Sequence, residues 1–222
     1  MQRLLDGVHR FREDEFGKYK AMFRRLSRHG QKPHTLFITC VDSRVLAELI
    51  TQSNPGDLLV VKNVGNIVPP CETAGLNSTG AGIEFAVEIL GVSDVVVCGH
   101  SGCGAIAALM SGQTSGLKHL ESWVGVAGQV RDVIETNYQH LTNEADRVRA
   151  AEEENVLFSI ERLRSYPCVV RRIEEGSLRL HGWFFKIATG ELFAYDPALR
   201  QFAPITRETY LQPGLPFSGT EA

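Results

Sequence analysis

Two short segments carry most of the side chains able to do chemistry: Cys40-Val-Asp-Ser-Arg44 and Gly99-His-Ser-Gly-Cys-Gly104. Taken separately each is weak, since a cysteine at a strand end is most often a small buried apolar residue. Together they offer two thiolates and one imidazole. That donor set suits Zn2+, which takes sulfur and nitrogen in tetrahedral geometry, and three protein ligands leave one position open, as catalytic zinc sites do. Cys103 falls near the start of a helix, where unpaired amides favour thiolate over thiol. Asp42 and Arg44 lie two apart just past a strand end, so they can pair as a bidentate carboxylate–guanidinium unit. Such a pair can be purely structural. It can also act: Asp42 either orients a water on the metal or takes the fourth position itself, and Arg44 decides which. With water in that position its pKa falls from about 15.7 to about 7.

The elements that must position these residues alternate between strand and helix. "TLFITC" (Thr35 to Cys40) reads as a buried strand, "VLAELI" as a helix, "NPGD" as a turn and "LLVV" as a strand. "STGAGIEFAVEIL" reads as a helix capped by Ser78 or Thr79, and "DVVVC" as a further strand. Alternation of this kind predicts an α/β fold with a mainly parallel sheet and right-handed crossovers. Sites in such sheets form beyond the carboxyl ends of the strands, so topology brings Cys40 and His100 to one edge. Helices are expected at "GAIAALM", at roughly 117–140 and at about 144–164. "LRLHGWFFKIATGELFAYD" then reads as two strands around a turn at 188–191, an antiparallel addition to the sheet edge. Leu4, Leu5, Val8, Phe11, Tyr19, Met22, Phe23 and Leu26 mark an amphipathic helical arm over residues 1–30, with Gly17 as a candidate break. The arm either covers its own domain or wraps a second subunit. The tail, residues 211–222, is expected to be loose.

At 222 residues and 43% hydrophobic content the chain is read as one domain, 1–222. A net charge of -3 with scattered Lys and Arg argues against nucleic acid as a partner. No run approaches the ~20 apolar residues of a membrane span, and the N-terminus is too charged for a signal peptide, so the expected location is cytoplasmic. Five cysteines, an odd number in a chain of this size, fit reduced thiols or metal ligands better than disulfides. No Cys-x-x-Cys pair supports thiol redox chemistry, and Cys71, Cys98 and Cys168 are given no chemical role.

"CVDSRV", "VKNVGNIVPP", "STGAGIEFAV" and "VVVCGHSGCGAI" closely resemble the β-class carbonic anhydrases, and the similarity covers most of the chain. The resemblance implies that Cys40, His100 and Cys103 ligate one Zn2+ per chain and that Asp42 with Arg44 gates the fourth position. It also implies reversible hydration of CO2 to bicarbonate through a zinc-bound hydroxide, in a homodimer or dimer-based tetramer. Gln31, Leu59, Phe85 and the backbone at Gly102 and Gly104 match pocket positions of plant-like members, although Leu59 and Phe85 are equally readable as core. Some bacterial members bind regulatory bicarbonate through a tryptophan and an arginine where this chain has Phe37 and Lys62. Phe37 has no indole donor and Lys62 no planar fork, which predicts the open, unregulated subtype. Two rival readings remain: a carbon disulfide or carbonyl sulfide hydrolase on the same ligands, and a non-catalytic zinc scaffold or sensor with Asp42 as fourth ligand.

Overall fold

A computed structural model describes residues 1–72, 75, 77–114 and 116–207. The expected tail lies outside the described residues. Among the described residues six strands form one sheet in the order β2-β1-β3-β4-β5-β6: β1 Thr35–Cys40, β2 Leu58–Asn63, β3 Asp94–His100, β4 Arg179–Lys186, β5 Glu191–Asp196 and β6 Gln201–Pro204. The first four are parallel and the last two antiparallel, which matches the expected α/β class and its antiparallel edge. Every residue of β1 is buried, because helices or loops cover both faces, and this accounts for its unbroken apolar run.

Strand order fixes the site. From β1 the chain steps outward to β2, then returns across β1 to β3. The carboxyl ends of β1 and β3 therefore flank the point where the winding reverses, the crevice in which open α/β sheets place their ligands. Cys40 ends β1 and His100 ends β3.

Most predicted helices form. They are α1 Gln2–Arg10, α2 Phe16–His29, α3 Ala47–Thr51, α4 Ser78–Glu84, α5 Gly104–Ser111, α6 Lys118–Gly125, α7 Gly128–Asn137, α8 Glu144–Leu163 and α9 Pro167–Glu174. Several details differ from expectation. The arm does not break at Gly17; it widens instead into a π turn at Phe11–Glu15 and stops at Gly30, whose φ of 76° suits a residue without Cβ. A lone glycine weakens a helix by about 1 kcal/mol without ending it. The cap of α4 is Asn77, whose side chain accepts from the Gly80 amide, rather than Ser78 or Thr79. The span read as one helix over 117–140 is two, and α9 and β6 were not anticipated. No residue of α1 or α2 is buried, and Leu4, Leu5, Val8 and Phe11 stand exposed.

Helix α8 lies across β3 and β4, and one glycine permits its closeness. A Cβ on Gly99 would fall 2.6 Å from Val156 Cγ2 and 3.5 Å from the Glu152 carbonyl. Gly99→Ala should therefore destabilise the fold by about 1–3 kcal/mol through overpacking, read from the urea midpoint. A variant as stable as the parent would show that α8 can yield at this point.

Candidate metal centre

Cys40, His100 and Cys103 converge. Their ligand atoms lie within 4.8 Å of one another, and all three residues are buried. The two sulfurs are 4.0 Å apart. Two thiolates on a tetrahedral zinc, each at about 2.3 Å, stand roughly 3.8 Å from each other, so the spacing fits. Ser101 O, an acceptor only, lies 3.1 Å from His100 Nδ1, which places the ring proton on Nδ1. Nε2 is then a bare lone pair, buried and without a hydrogen-bond partner. A buried acceptor facing two thiols is the arrangement expected of a metal ligand.

The thiols share their charge unequally. Hydrogen bonding from Cys103, with the amides of Asp42 and Gly65, holds the Cys40 thiol down to about 4 against the penalty of burial. The Gly65 amide lies 3.3 Å from the Cys40 sulfur. Cys103 moves the other way: its neighbour Cys40 and then its burial keep it protonated far above the ordinary range, outweighing the amides of Ala105 and Ile106 at the start of α5. The helix start at Cys103 contributes the expected lowering through the amides of Ala105 and Ile106, and the adjacent sulfur opposes it.

Arg44 grips Asp42 through three contacts: Nε to Oδ1 at 2.9 Å, Nη2 to Oδ2 at 2.7 Å and its backbone amide to Oδ1 at 2.9 Å. Arg44 Nη2 also donates to the Gly102 carbonyl at 3.1 Å. Hydrogen bonding from Arg44 holds the Asp42 carboxyl well below the usual carboxylate range, despite partial desolvation. Oδ2 nonetheless sits 3.9 Å from His100 Nε2, beside the fourth side of the cluster. Gly102, with φ of 69°, and Gly104 flank Cys103 and belong to this edge.

The other pocket candidates are elsewhere. Leu59 pairs with Leu36, four positions before Cys40 along β1, and is half-buried against the apolar core. Gln31 precedes β1, and so lies at the far end of that strand from Cys40; it is exposed. Phe85, after α4, is 43% exposed. Strand register thus sets Leu59 and Gln31 away from Cys40 within one chain. The remaining cysteines suit inert packing, with burial pushing Cys98 up to about 12 and raising Cys71 and Cys168 as well.

Residues 35–192 match the sequence profile of the carbonic anhydrase family. A carbonic anhydrase of Synechocystis sp. is 42% identical over 96% of this chain and 78% of its own length, and one of Pseudomonas aeruginosa is 40% identical over 92% of each. The solved β-carbonic anhydrase CcaA superposes with a TM-score of 0.88 at 41% identity, covering 93% of this chain and 92% of that one. The chain is a β-carbonic anhydrase. A tetrameric β-carbonic anhydrase of Sordaria macrospora also matches, with a TM-score of 0.78 and 33% identity over 87% of this chain and 95% of that one.

In this carbonic anhydrase the metal-capable edge is braced by a polar stripe on α8 that sequence reasoning missed. Glu152 Oε1 accepts from the Cys103 amide at 2.7 Å, Asn155 Nδ2 donates to the Gly65 carbonyl at 2.8 Å, and the Ser159 hydroxyl donates to the Asn66 carbonyl and accepts from the Val68 amide. All three are buried. Their spacing of three and four, interleaved with Ala151, Val156 and Leu163 on a core-facing side, was the available signal. Burial pushes the Glu152 carboxyl up to about 7.

The unequal thiols make a pH prediction. A dication binds thiolates, so uptake must displace the proton that Cys103 retains. Zinc affinity, measured by chelator competition, should rise by at least about tenfold per unit between roughly pH 6 and 8. A flat profile would mean that both sulfurs are already ionised.

Proposed function

We propose that this carbonic anhydrase hydrates CO2 reversibly to bicarbonate and a proton, with one Zn2+ per chain held by Cys40, His100 and Cys103. The observation that carries the reading is the buried two-sulfur, one-imidazole cluster whose remaining side faces a carboxylate pinned by an arginine. Zinc bound there supplies Lewis acidity that brings the deprotonation of water into the neutral range. The chain's own residues then do the rest. Asp42, ionised and fixed, accepts a hydrogen bond from the attacking water and orients its lone pair toward the CO2 carbon. Arg44 keeps the carboxylate on that duty rather than on the metal. His100, its tautomer set by Ser101, holds its geometry throughout. Attack forms the new C–O bond, the electron pair of one C=O bond moves onto oxygen, and the water's proton leaves to buffer.

The pocket assignment for Gln31, Leu59 and Phe85 involves a second copy of the chain, since in one copy Gln31 and Leu59 lie away from Cys40. A homodimer or dimer-based tetramer is accordingly part of the proposal. The exposed apolar stripe of Leu4, Leu5, Val8 and Phe11 supports it, as does the assembly named for the Sordaria relative. We read the chain as one domain, 1–222, with a wrapping arm, working in the cytoplasm where its thiols stay reduced. The sulfur-substrate reading uses the same ligands and is separated by comparing substrates. The scaffold reading needs Asp42 free to ligate the metal, and Arg44's three contacts oppose it.

Stopped-flow CO2 hydration from about pH 6.5 to 9, on protein of determined zinc content, tests the function. Cys40→Ser and Cys103→Ser should lose both zinc and activity. Asp42→Ala should retain zinc while turnover drops by about 10²-fold, the usual scale for a lost proton-handling group. Zinc-loaded protein without turnover at any pH would overturn the reading, and activity confined to alkaline pH would overturn the open-site subtype.

A further inference from the structure

Alternation along β2 turns Leu58, Val60 and Lys62 to the face where Val45 and Ala47 pack, and Leu59 and Val61 to the opposite core. Lys62 is the penultimate residue of this edge strand. Its ammonium does not point idly into solvent. Nζ donates to the Val45 carbonyl at 2.7 Å and to the Asp42 carbonyl at 3.1 Å. Those carbonyls are the two ends of the turn that carries Asp42 and Arg44, and the Val45 amide closes the turn on the Asp42 carbonyl at 3.2 Å. Few other groups hold it: Val45 is buried, the Arg44 guanidinium reaches across to Gly102, and Val41 extends the ladder to Asn63.

We propose that Lys62 is a positioning residue, clamping both ends of the Asp42–Val45 turn so that Arg44 stays seated on the Asp42 carboxylate. A side chain from β2 thereby sets the direction of a group that follows β1. Ammonium suits the task because its three donors can diverge to two carbonyls at once, whereas an apolar side chain of the same length offers none. The commitment of Nζ to these carbonyls also gives a physical reason why position 62 would serve poorly as an anion receptor here. The inference rests on the proposed role of Asp42, so its test separates the two.

The experiment compares the zinc-loaded parent with Lys62→Met, Lys62→Arg, Asp42→Asn and the Lys62→Met/Asp42→Asn double variant. Two readouts are taken: hydrogen exchange of the Arg44 and Val45 amides, and the kcat and KM for CO2. In Lys62→Met the two amides should exchange about tenfold faster, and kcat should fall about tenfold with KM little changed, the scale of a lost charge-assisted hydrogen bond. Lys62→Arg, which can again donate to both carbonyls, should recover both readouts. In the Asp42→Asn background the Lys62→Met change should lower kcat no further, although exchange still quickens. Unchanged amide exchange in Lys62→Met would overturn the clamp. Faster exchange with full kcat, or an undiminished loss in the Asp42→Asn background, would overturn its link to the dyad. Full turnover in Asp42→Asn alone would instead defeat the proposed role of Asp42, leaving the exchange result to judge the clamp itself.

Discussion

Two buried sulfurs 4.0 Å apart impose the constraint around which the rest is arranged. A charge on one is costly in an interior of low dielectric, and a charge on the second is opposed by the first. The fold meets this by aiming the backbone amides of Asp42 and Gly65 at Cys40, the latter at 3.3 Å. Gly65 lies in a loop held from several sides. Asn155 donates to the Gly65 carbonyl, Trp123 Nε1 to the Val64 carbonyl at 2.7 Å, and Asn63 brackets Ile67 through both its amide atoms. Gly65 has φ of 83°, and a Cβ there would approach Ala105 at 3.1 Å, so only glycine presents this amide without strain. Much of the buried polar structure thus serves one sulfur.

The brace behind the site is a helix that contributes no ligand. Helix α8 reaches the back of β3 only because Gly99 has no side chain, and once there it lays Glu152, Asn155 and Ser159 against loop backbone that would otherwise be buried without partners. Core packing and site geometry are one problem here: displacing α8 by the width of a methyl group would pull Glu152 from Cys103.

Two carboxylates border the cluster with their acidities shifted in opposite directions. Asp42, partly open to solvent and gripped by Arg44, is held ionised throughout the physiological range. Glu152, enclosed beside α5, is raised to about 7 by burial and is used through the hydrogen bond it accepts from the Cys103 amide. Environment alone shifts two chemically similar carboxyl groups in opposite directions.

The metal-capable cluster was legible in the sequence because the information is local. An apolar run ending in Cys40, another ending in His100, and a helix start three residues later specify strand ends and a cap, and alternation of strand with helix sends both ends to one edge. Asp42 and Arg44 were legible for the same reason, being two apart. The tertiary structure decided what depends on contacts between distant positions: Glu152 with Cys103 across 49 residues, Ser159 with Asn66 across 93, and Lys62 with the Asp42 turn. It also set Gln31 and Leu59 away from Cys40 within one chain. Sequence spacing fixes which way a side chain faces on its own element, whereas the partner it meets, and therefore its charge and its role, depends on how elements pack.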